Sequence, residues 1–514
     1  MLPTDAFFWY AEAATPHLRP LVAGIFALDQ APDRRRFRAA MERLVAHVPR
    51  LHHRVVEALA IGLPEWVDDP AFDLDYHLRS IILPPPANQR HLFDFAGAVF
   101  ATPLDHLRPL WEAYLIEGLE HDRAALFIKM HHSVMDGAGA VALFDAMTQA
   151  GRSEPIRVPH RAEAPPTSGA RSPVLARQIR AVVRAAAGVV AAASRSVVRA
   201  LNDPLPAIDE MVRTAGRVGD LLRDMTVPPL ADPLAARCTG IGRRLDGTTF
   251  SLPRLRRIKD ALGGTLNDLV LTTVAGALGR YHRDLGIRME EVACVVPMSL
   301  RQDHESHTLG NRVGAFNVML PVGLRNPLAR LARIRAQTKL SKGNGKSASY
   351  QALMQAIALV PAAGFRFLAR QASGRIHLIC SNVPGPSVQR YLAGAKIDGV
   401  YAFAPVMLGT PIAIALVSYG DSVGVGIDAD PAAIPDPERI RQHLETELDE
   451  IERRISSRAR PTMHALQLVD SRARRPARRK QPAAAVMAAS PAHNEPKMAA
   501  MAPAMIPEER RATS

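Results

Sequence analysis

The chain has 514 residues, 47% of them hydrophobic, a mean hydropathy of −0.03, and 64 Lys+Arg against 50 Asp+Glu for a formal charge of +14. This is the make-up of a globular protein with ample apolar surface for a core, and it excludes a mainly disordered or collagen-like chain. The length accommodates about three domains of roughly 150 residues, or one large two-lobed enzyme.

Cys238, Cys294 and Cys380 are odd in number, far apart and in no C-x-x-C spacing. They support neither a disulfide framework nor a cysteine-based zinc site and suit a reducing cytoplasm. The first ten residues show no basic stretch leading into an apolar one, so no secretory signal is expected.

In chain order, residues 1–150 carry a net charge of −6 and read as a first lobe. Apolar spacing predicts helices over 37–45 and 140–148, with a strand over 124–129. Residues 151–237 (net +5) open Pro-rich and continue into an Ala/Val run with Arg177, Arg180 and Arg184, then Arg195 and Arg199, at spacings of three and four within each group. On a helix that spacing gathers the arginines on one face, either as a solvated linker helix or as an amphipathic helix on anionic lipid. Residues 238–457 (net +8) read as a second lobe, with helices over 252–262 and 437–451 and strands over 292–296, 313–320, 376–380 and 423–427. The uncharged run 399–420 is divided by Pro405, Gly409 and Pro411, which predicts buried strands and no transmembrane helix. Residues 458–514 (net +7) read as a basic, Ala/Met/Pro-rich disordered tail. Helices and strands mixed in two halves around a long crossover indicate an α/β protein of two lobes.

The chemistry centres on His131-His132-Ser133-Val134-Met135-Asp136-Gly137. A histidine at a strand end, an aspartate four residues on and a glycine that permits a tight turn suit a positioned base, because neutral imidazole accepts a proton near pH 7. Adjacent residues in extended chain point oppositely, so one histidine faces a given cavity. A core or turn hydrogen bond is the alternative. A metal here would need a third ligand the neighbourhood does not supply, and no G-x-S-x-G elbow supports a serine hydrolase.

HHSVMDG resembles the HHxxxDG signature of CoA-dependent acyltransferases and condensation domains. The rest of the chain narrows the resemblance to the bacterial wax ester synthase/diacylglycerol acyltransferase family. The matching stretches are Leu2-Pro3-Thr4-Asp5-Ala6, Trp66-Val67-Asp68-Asp69-Pro70, Arg108-Pro109-Leu110-Trp111-Glu112, Thr265-Leu266-Asn267-Asp268, Val296-Pro297-Met298-Ser299-Leu300-Arg301, Gly310-Asn311-Arg312 and Ser381-Asn382-Val383-Pro384-Gly385-Pro386.

That resemblance implies two chloramphenicol-acetyltransferase-like lobes with the active site at their interface. The implied reaction moves an acyl group from acyl-CoA to diacylglycerol or a long-chain fatty alcohol, with no cofactor, because acyl-CoA is itself a substrate. His132 would be the general base. Asp136 would hold the loop and pair with Arg301, His131 would orient the turn, and Gly137 would permit it. Asn267 reads as an oxyanion donor or a helix N-cap, beside Asp268. Trp111 is structural or lines a lipid channel, and Ser381 and Asn382 fix a turn or meet substrate. Arg254, Arg256, Arg257 and Lys259 are the candidates for the phosphates of CoA.

Insoluble acceptors and basic appended segments imply peripheral attachment to a membrane or lipid inclusion on the cytoplasmic side. The linker and tail supply most of the net positive charge but lack interleaved aromatics, so nucleic acid is not an expected partner. A non-catalytic lipid-surface protein and a carrier-protein-dependent condensation enzyme are the competing readings.

Overall fold

The computed structural model describes residues 1–14, 19–57, 63–159, 232–299, 313–343, 376–406 and 409–473. The arginine-lined run at 177–199, Arg301, the Gly310-Asn311-Arg312 motif and the basic cluster at 474–480 lie outside them. The chain separates into two units, Met1–Arg458 and Ala459–Ser514.

The first lobe contains α1 (Pro3–Ala14), β1 (Leu21–Leu28), α2 (Arg34–His47), β2 (His53–Val56), β3 (Glu65–Asp68), α3 (Leu74–His77), β4 (Leu78–Ile82), α4 (Gln89–Phe100), β5 (Trp111–Leu119), β6 (Arg123–His131) and α5 (Gly137–Met147). The second contains β7 (Arg244–Ser251), α6 (Leu252–Leu262), α7 (Leu266–Asp284), β8 (Val292–Ser299), β9 (Val313–Leu320), α8 (Pro327–Gly343), β10 (Leu378–Val383), β11 (Tyr391–Leu392), β12 (Ala395–Phe403), β13 (Ile412–Tyr419), β14 (Ser422–Ala429) and α9 (Pro437–Ala473). The mixed α/β, two-lobed architecture expected from the sequence is the one observed. The uncharged run 399–420 supplies the end of β12 and all of β13. Among the described residues, no single helix is long and apolar enough to cross a membrane. The α6–α7 pair passes that test only jointly, bent by 96°, and α7 is largely buried in the second core.

Two six-stranded sheets organise the lobes, in the orders β11-β12-β1-β6-β5-β4 and β7-β14-β13-β10-β8-β9. The division of the sheets therefore differs from the division at 150 and 238. Strands β11 and β12, from the second half, complete the first sheet, with Ile25 opposite Tyr401 in antiparallel register. Buried Ala395, Ile397, Val400 and Phe403 draw β12 into the first core. The same strand lies against β14, where a Cβ on Gly424 or Gly426 would fall 1.8 Å from Val400 O or 2.0 Å from Ala402 O. Only glycine admits backbone at that separation, so these two residues let the sheets meet.

Helix α9 reaches well past the expected 451. Its inward face is Ile440, Leu444, Leu448 and Ile451, at helical spacing. Glu447 on that helix bridges Arg280 of α7, at 2.5 Å, and Arg330 of α8. Arg330 is 1% exposed and also donates to the carbonyls of Thr272 and Leu324, each at 2.9 Å. Removing the carboxylate strands a buried guanidinium, so Glu447→Ala should cost about 3–5 kcal/mol in urea unfolding at neutral pH. A loss below about 1 kcal/mol, the range of exposed pairs, would show that this cluster does not hold the three helices together.

Candidate active site

The histidine pair sits where a buried strand becomes a helix. All of β6 beyond Arg123 is buried, and its last amide, His131 N–H, donates to Leu110 O at 3.0 Å. The chain then turns. His132 N–H donates to Pro20 O at 2.7 Å, and Val134 N–H to His131 O at 2.9 Å. Asp136 caps α5, its Oδ1 accepting from Gly139 N–H at 2.8 Å. That gives Asp136 the loop-holding duty expected of it; the expected partner Arg301 lies outside the described residues.

The two histidines are committed differently. His131 is buried, and its Nδ1 accepts Ser133 N–H at 3.1 Å with Ser133 Oγ at 2.6 Å. A backbone N–H can only donate, so Nδ1 is bare and the proton sits on Nε2, 3.2 Å from Glu12 Oε2. Glu12 also meets His106 Nε2 at 3.1 Å. Burial pushes the Glu12 carboxyl up, but the close imidazoles of His106 and His131 outweigh it and bring the pKa down to about 2. The same carboxylate raises His106. His131 is thus a brace between its own turn and α1. His132, half-buried, stacks on Phe8 of α1 with ring centroids 4.1 Å apart and planes 11° apart. The stack sets the plane of an imidazole that can serve as a base.

Arg50 locks the loop from a third side. It donates to Ser133 O at 3.0 Å, Val134 O at 2.9 Å and Asp5 Oδ2 at 3.0 Å. Asp5 is fully buried, which is the physical content of the Leu2-Pro3-Thr4-Asp5-Ala6 stretch.

From the second lobe comes the end of β10. A Cβ on Gly137 would lie 2.8 Å from Val383 Cγ2, so glycine here lets the signature loop approach Ser381-Asn382-Val383. Ser381 and Asn382 are half-buried and pair in parallel with Ala415 and Leu416 of β13. Strand β10 pairs with β8 only through Leu378 and Ile379, opposite Cys294 and Val295. The two strands therefore part beside these residues.

Other expected positions have structural duties. The cap of α7 is Thr265, in a capping box with Asp268, so Asn267 stands one residue inside the helix start and is not the N-cap. Asp268 accepts from Thr265 N–H at 3.0 Å and from Thr338 Oγ1 at 3.2 Å. Trp111, 1% exposed, donates from Nε1 to Leu51 O at 2.8 Å and stacks on His77 at 4.7 Å, which makes it core and not channel wall. Of the expected CoA cluster, Arg254 is bound by Asp449 and Glu452 of α9, each at 2.6 Å, and Lys259 by Asp260 at 2.5 Å. Their charges are already matched within the chain, while Arg256 and Arg257 stay exposed on α6.

Glu12, His106, Phe8 and Arg50 escaped the sequence reading because each lies on a different element from the signature. A glutamate within the mostly apolar run Ala6–Ala14 of α1 was the available signal. The pH dependence of stability follows from the Glu12 cluster. Its carboxyl, lowered from an ordinary 4.5 to about 2, adds stability above pH 4.5 that is lost toward pH 2. The raised His106 adds stability below its ordinary 6.5 that is lost as pH climbs through its folded value. Glu12→Gln should therefore cost most between about pH 4.5 and 6.5, on the order of 1.5–3 kcal/mol, and progressively less on either side in urea unfolding. A penalty independent of pH would mean that packing alone explains the residue.

Residues 1–270 match the family described as the wax ester synthase/diacylglycerol acyltransferase catalytic domain, and residues 309–452 its C-terminal domain. A Mycobacterium tuberculosis protein named "Putative diacyglycerol O-acyltransferase" is 31% identical over 456 residues, 87% of this chain and 91% of that protein. Another bearing the same description, also from M. tuberculosis, is 31% identical over 477 residues, 88% of this chain and all of its own length. Among solved structures, the wax ester synthase/diacylglycerol acyltransferase of Marinobacter aquaeolei VT8 shares the fold with a TM-score of 0.61 at 24% identity, covering 88% of this chain and 99% of that one. The starter condensation domain of rhizomide synthetase gives 0.55 at 14% identity, over 89% and 94%. With its two domain matches in order and relatives aligned along most of its length, the chain belongs to the wax ester synthase/diacylglycerol acyltransferase family.

Proposed function

We propose that this acyltransferase moves a long-chain acyl group from acyl-CoA to diacylglycerol, giving triacylglycerol, and that a long-chain fatty alcohol is its second acceptor, giving a wax ester. The observation that carries the reading is the division of labour in the histidine pair. His131 is engaged by Ser133 and lies against Glu12, while His132 has its ring plane set by Phe8, and this supports His132 as the base. Diacylglycerol is ranked first because the relatives at 31% identity carry that acceptor in their names.

The acceptor hydroxyl gives its proton to His132 as its oxygen attacks the thioester carbonyl. The tetrahedral intermediate then collapses, the C–S bond breaks, and the proton passes from the imidazolium to the departing CoA thiolate. No acyl-enzyme and no cofactor enters this sequence. To the developing oxyanion we assign the amide of Asn267, half-buried and outside the capping box formed by its neighbours. Insoluble acceptors, together with 11 basic against 4 acidic residues in 458–514, support a site of action on an anionic membrane or lipid inclusion facing the cytoplasm.

One reconstitution tests the proposal. With palmitoyl-CoA and anionic vesicles containing diacylglycerol and hexadecanol, the wild type should form mainly triacylglycerol, and vesicle binding should weaken as salt rises. His132→Ala should lower turnover by about 10²–10⁴-fold without loss of stability. Equal turnover in both proteins would remove His132 from the mechanism. A predominance of wax ester would reverse the acceptor order, and salt-independent binding would remove the electrostatic docking.

A further inference from the structure

Two neighbouring histidines, His52 and His53, stand at the start of β2, and Asp68 ends the antiparallel partner β3 directly opposite His53. In regular strand, consecutive side chains point to opposite faces. Here they do not, because His52 closes a short 3-10 turn with φ −121° and ψ 6° before extended chain begins. Both rings consequently reach one carboxylate oxygen. Asp68 Oδ1 is 2.8 Å from His52 Nδ1 and 3.3 Å from His53 Nε2, and the rings lie nearly perpendicular with centroids 4.7 Å apart.

We propose that His52, His53 and Asp68 form a binding site for a divalent transition metal of the zinc class. The three candidate ligand atoms lie within 4.8 Å of one another. Tetrahedral zinc, with Zn–N and Zn–O bonds of about 2.0–2.2 Å, sets its ligands roughly 3.3–3.5 Å apart. The His53–Asp68 edge is already at that length, and the His52–Asp68 edge needs to open by about half an ångström. Two imidazoles and one carboxylate favour zinc, cobalt, nickel or copper over magnesium or calcium, which prefer all-oxygen shells. Asp68 is half-exposed while His52 is 12% exposed, so the site is held from the protein side and open to a water ligand from the other.

The ligands are fixed from outside. Asp69 N–H donates to His52 O at 3.0 Å, and the ladder of β2 with β3 holds His53 against Asp68. The site also has a route to the active site. Arg50, two residues before His52, is the side chain that holds Ser133 and Val134. A bound ion would stiffen the segment from which that arginine projects. The ion takes no part in the mechanism above.

The test uses the full chain stripped with chelator and titrated with Co²⁺, then with Zn²⁺ in competition. One Co²⁺ per chain should bind with the visible absorption of a four-coordinate centre, and Zn²⁺ should displace it. His52→Ala, His53→Ala and Asp68→Asn should each weaken binding about tenfold or more, while His121→Ala, in an exposed turn, should leave it unchanged. Asp68→Asn preserves side-chain size and decides the matter if either histidine variant folds poorly. Absence of stoichiometric binding to the wild type, or an Asp68→Asn variant that binds as the wild type does, overturns the proposal. The readout is metal affinity, so the outcome is independent of whether the protein esterifies diacylglycerol.

Discussion

The hydrogen bond from Ser133 N–H to His131 Nδ1 is the contact on which the rest of the site depends. It fixes Nδ1 of a buried imidazole as an acceptor and leaves Nε2 3.2 Å from Glu12 Oε2, so the ring stands between an irregular turn and α1. Irregular backbone has no ladder to hold it, and every polar group that it buries needs a separate partner. Here the partners come from distant sequence: Pro20 O for the His132 amide, Arg50 for two carbonyls, Glu12 for the ring of His131. The neighbouring His132 has its ring stacked on Phe8 of the same helix.

The second lobe contributes by close approach. Gly137 permits the loop to reach Val383, while Gly424 and Gly426 permit β14 to touch the backbone of β12. Because β12 belongs to the first sheet by hydrogen bonding and to the second half by sequence, the lobes are interlocked. Where β8 and β10 part, Ser381 and Asn382 lie on the strand that faces the histidine loop through Val383. Two lobes locked in this way hold reacting groups at fixed separation, which is where positional catalysis gains most.

Much of this was legible from local pattern. The strands over 313–320 and the helix over 252–262 have the observed ends because a strong period-2 or period-3.6 signal is bounded by breakers such as Pro321 and Gly263. Asp136 as a holder of the loop and Gly137 as a turn were readable from equally local pattern. Four things were not. The swap of β12 depends on which sheet offers an open edge, a global property. Arg254 looked available to CoA because the acids that bind it, Asp449 and Glu452, lie almost two hundred residues away. Trp111 could be read as structural or as a channel wall because an indole is amphipathic, and only the fold shows that its N–H finds Leu51 O inside the core. Glu12 joins them, because its role exists only once α1 packs beneath β6.

In the proposed mechanism His131 orients and His132 reacts. The most direct test is to replace each by asparagine, whose Oδ1 can take over an Nδ1 acceptor, and to compare single-turnover acyl transfer at saturating acyl-CoA. His131→Asn, which keeps an acceptor for Ser133 N–H, should stay within about tenfold of the wild type, whereas His132→Asn should fall by about 10²–10⁴-fold. Equal losses, or a larger loss at His131, would contradict the division of roles between the two histidines.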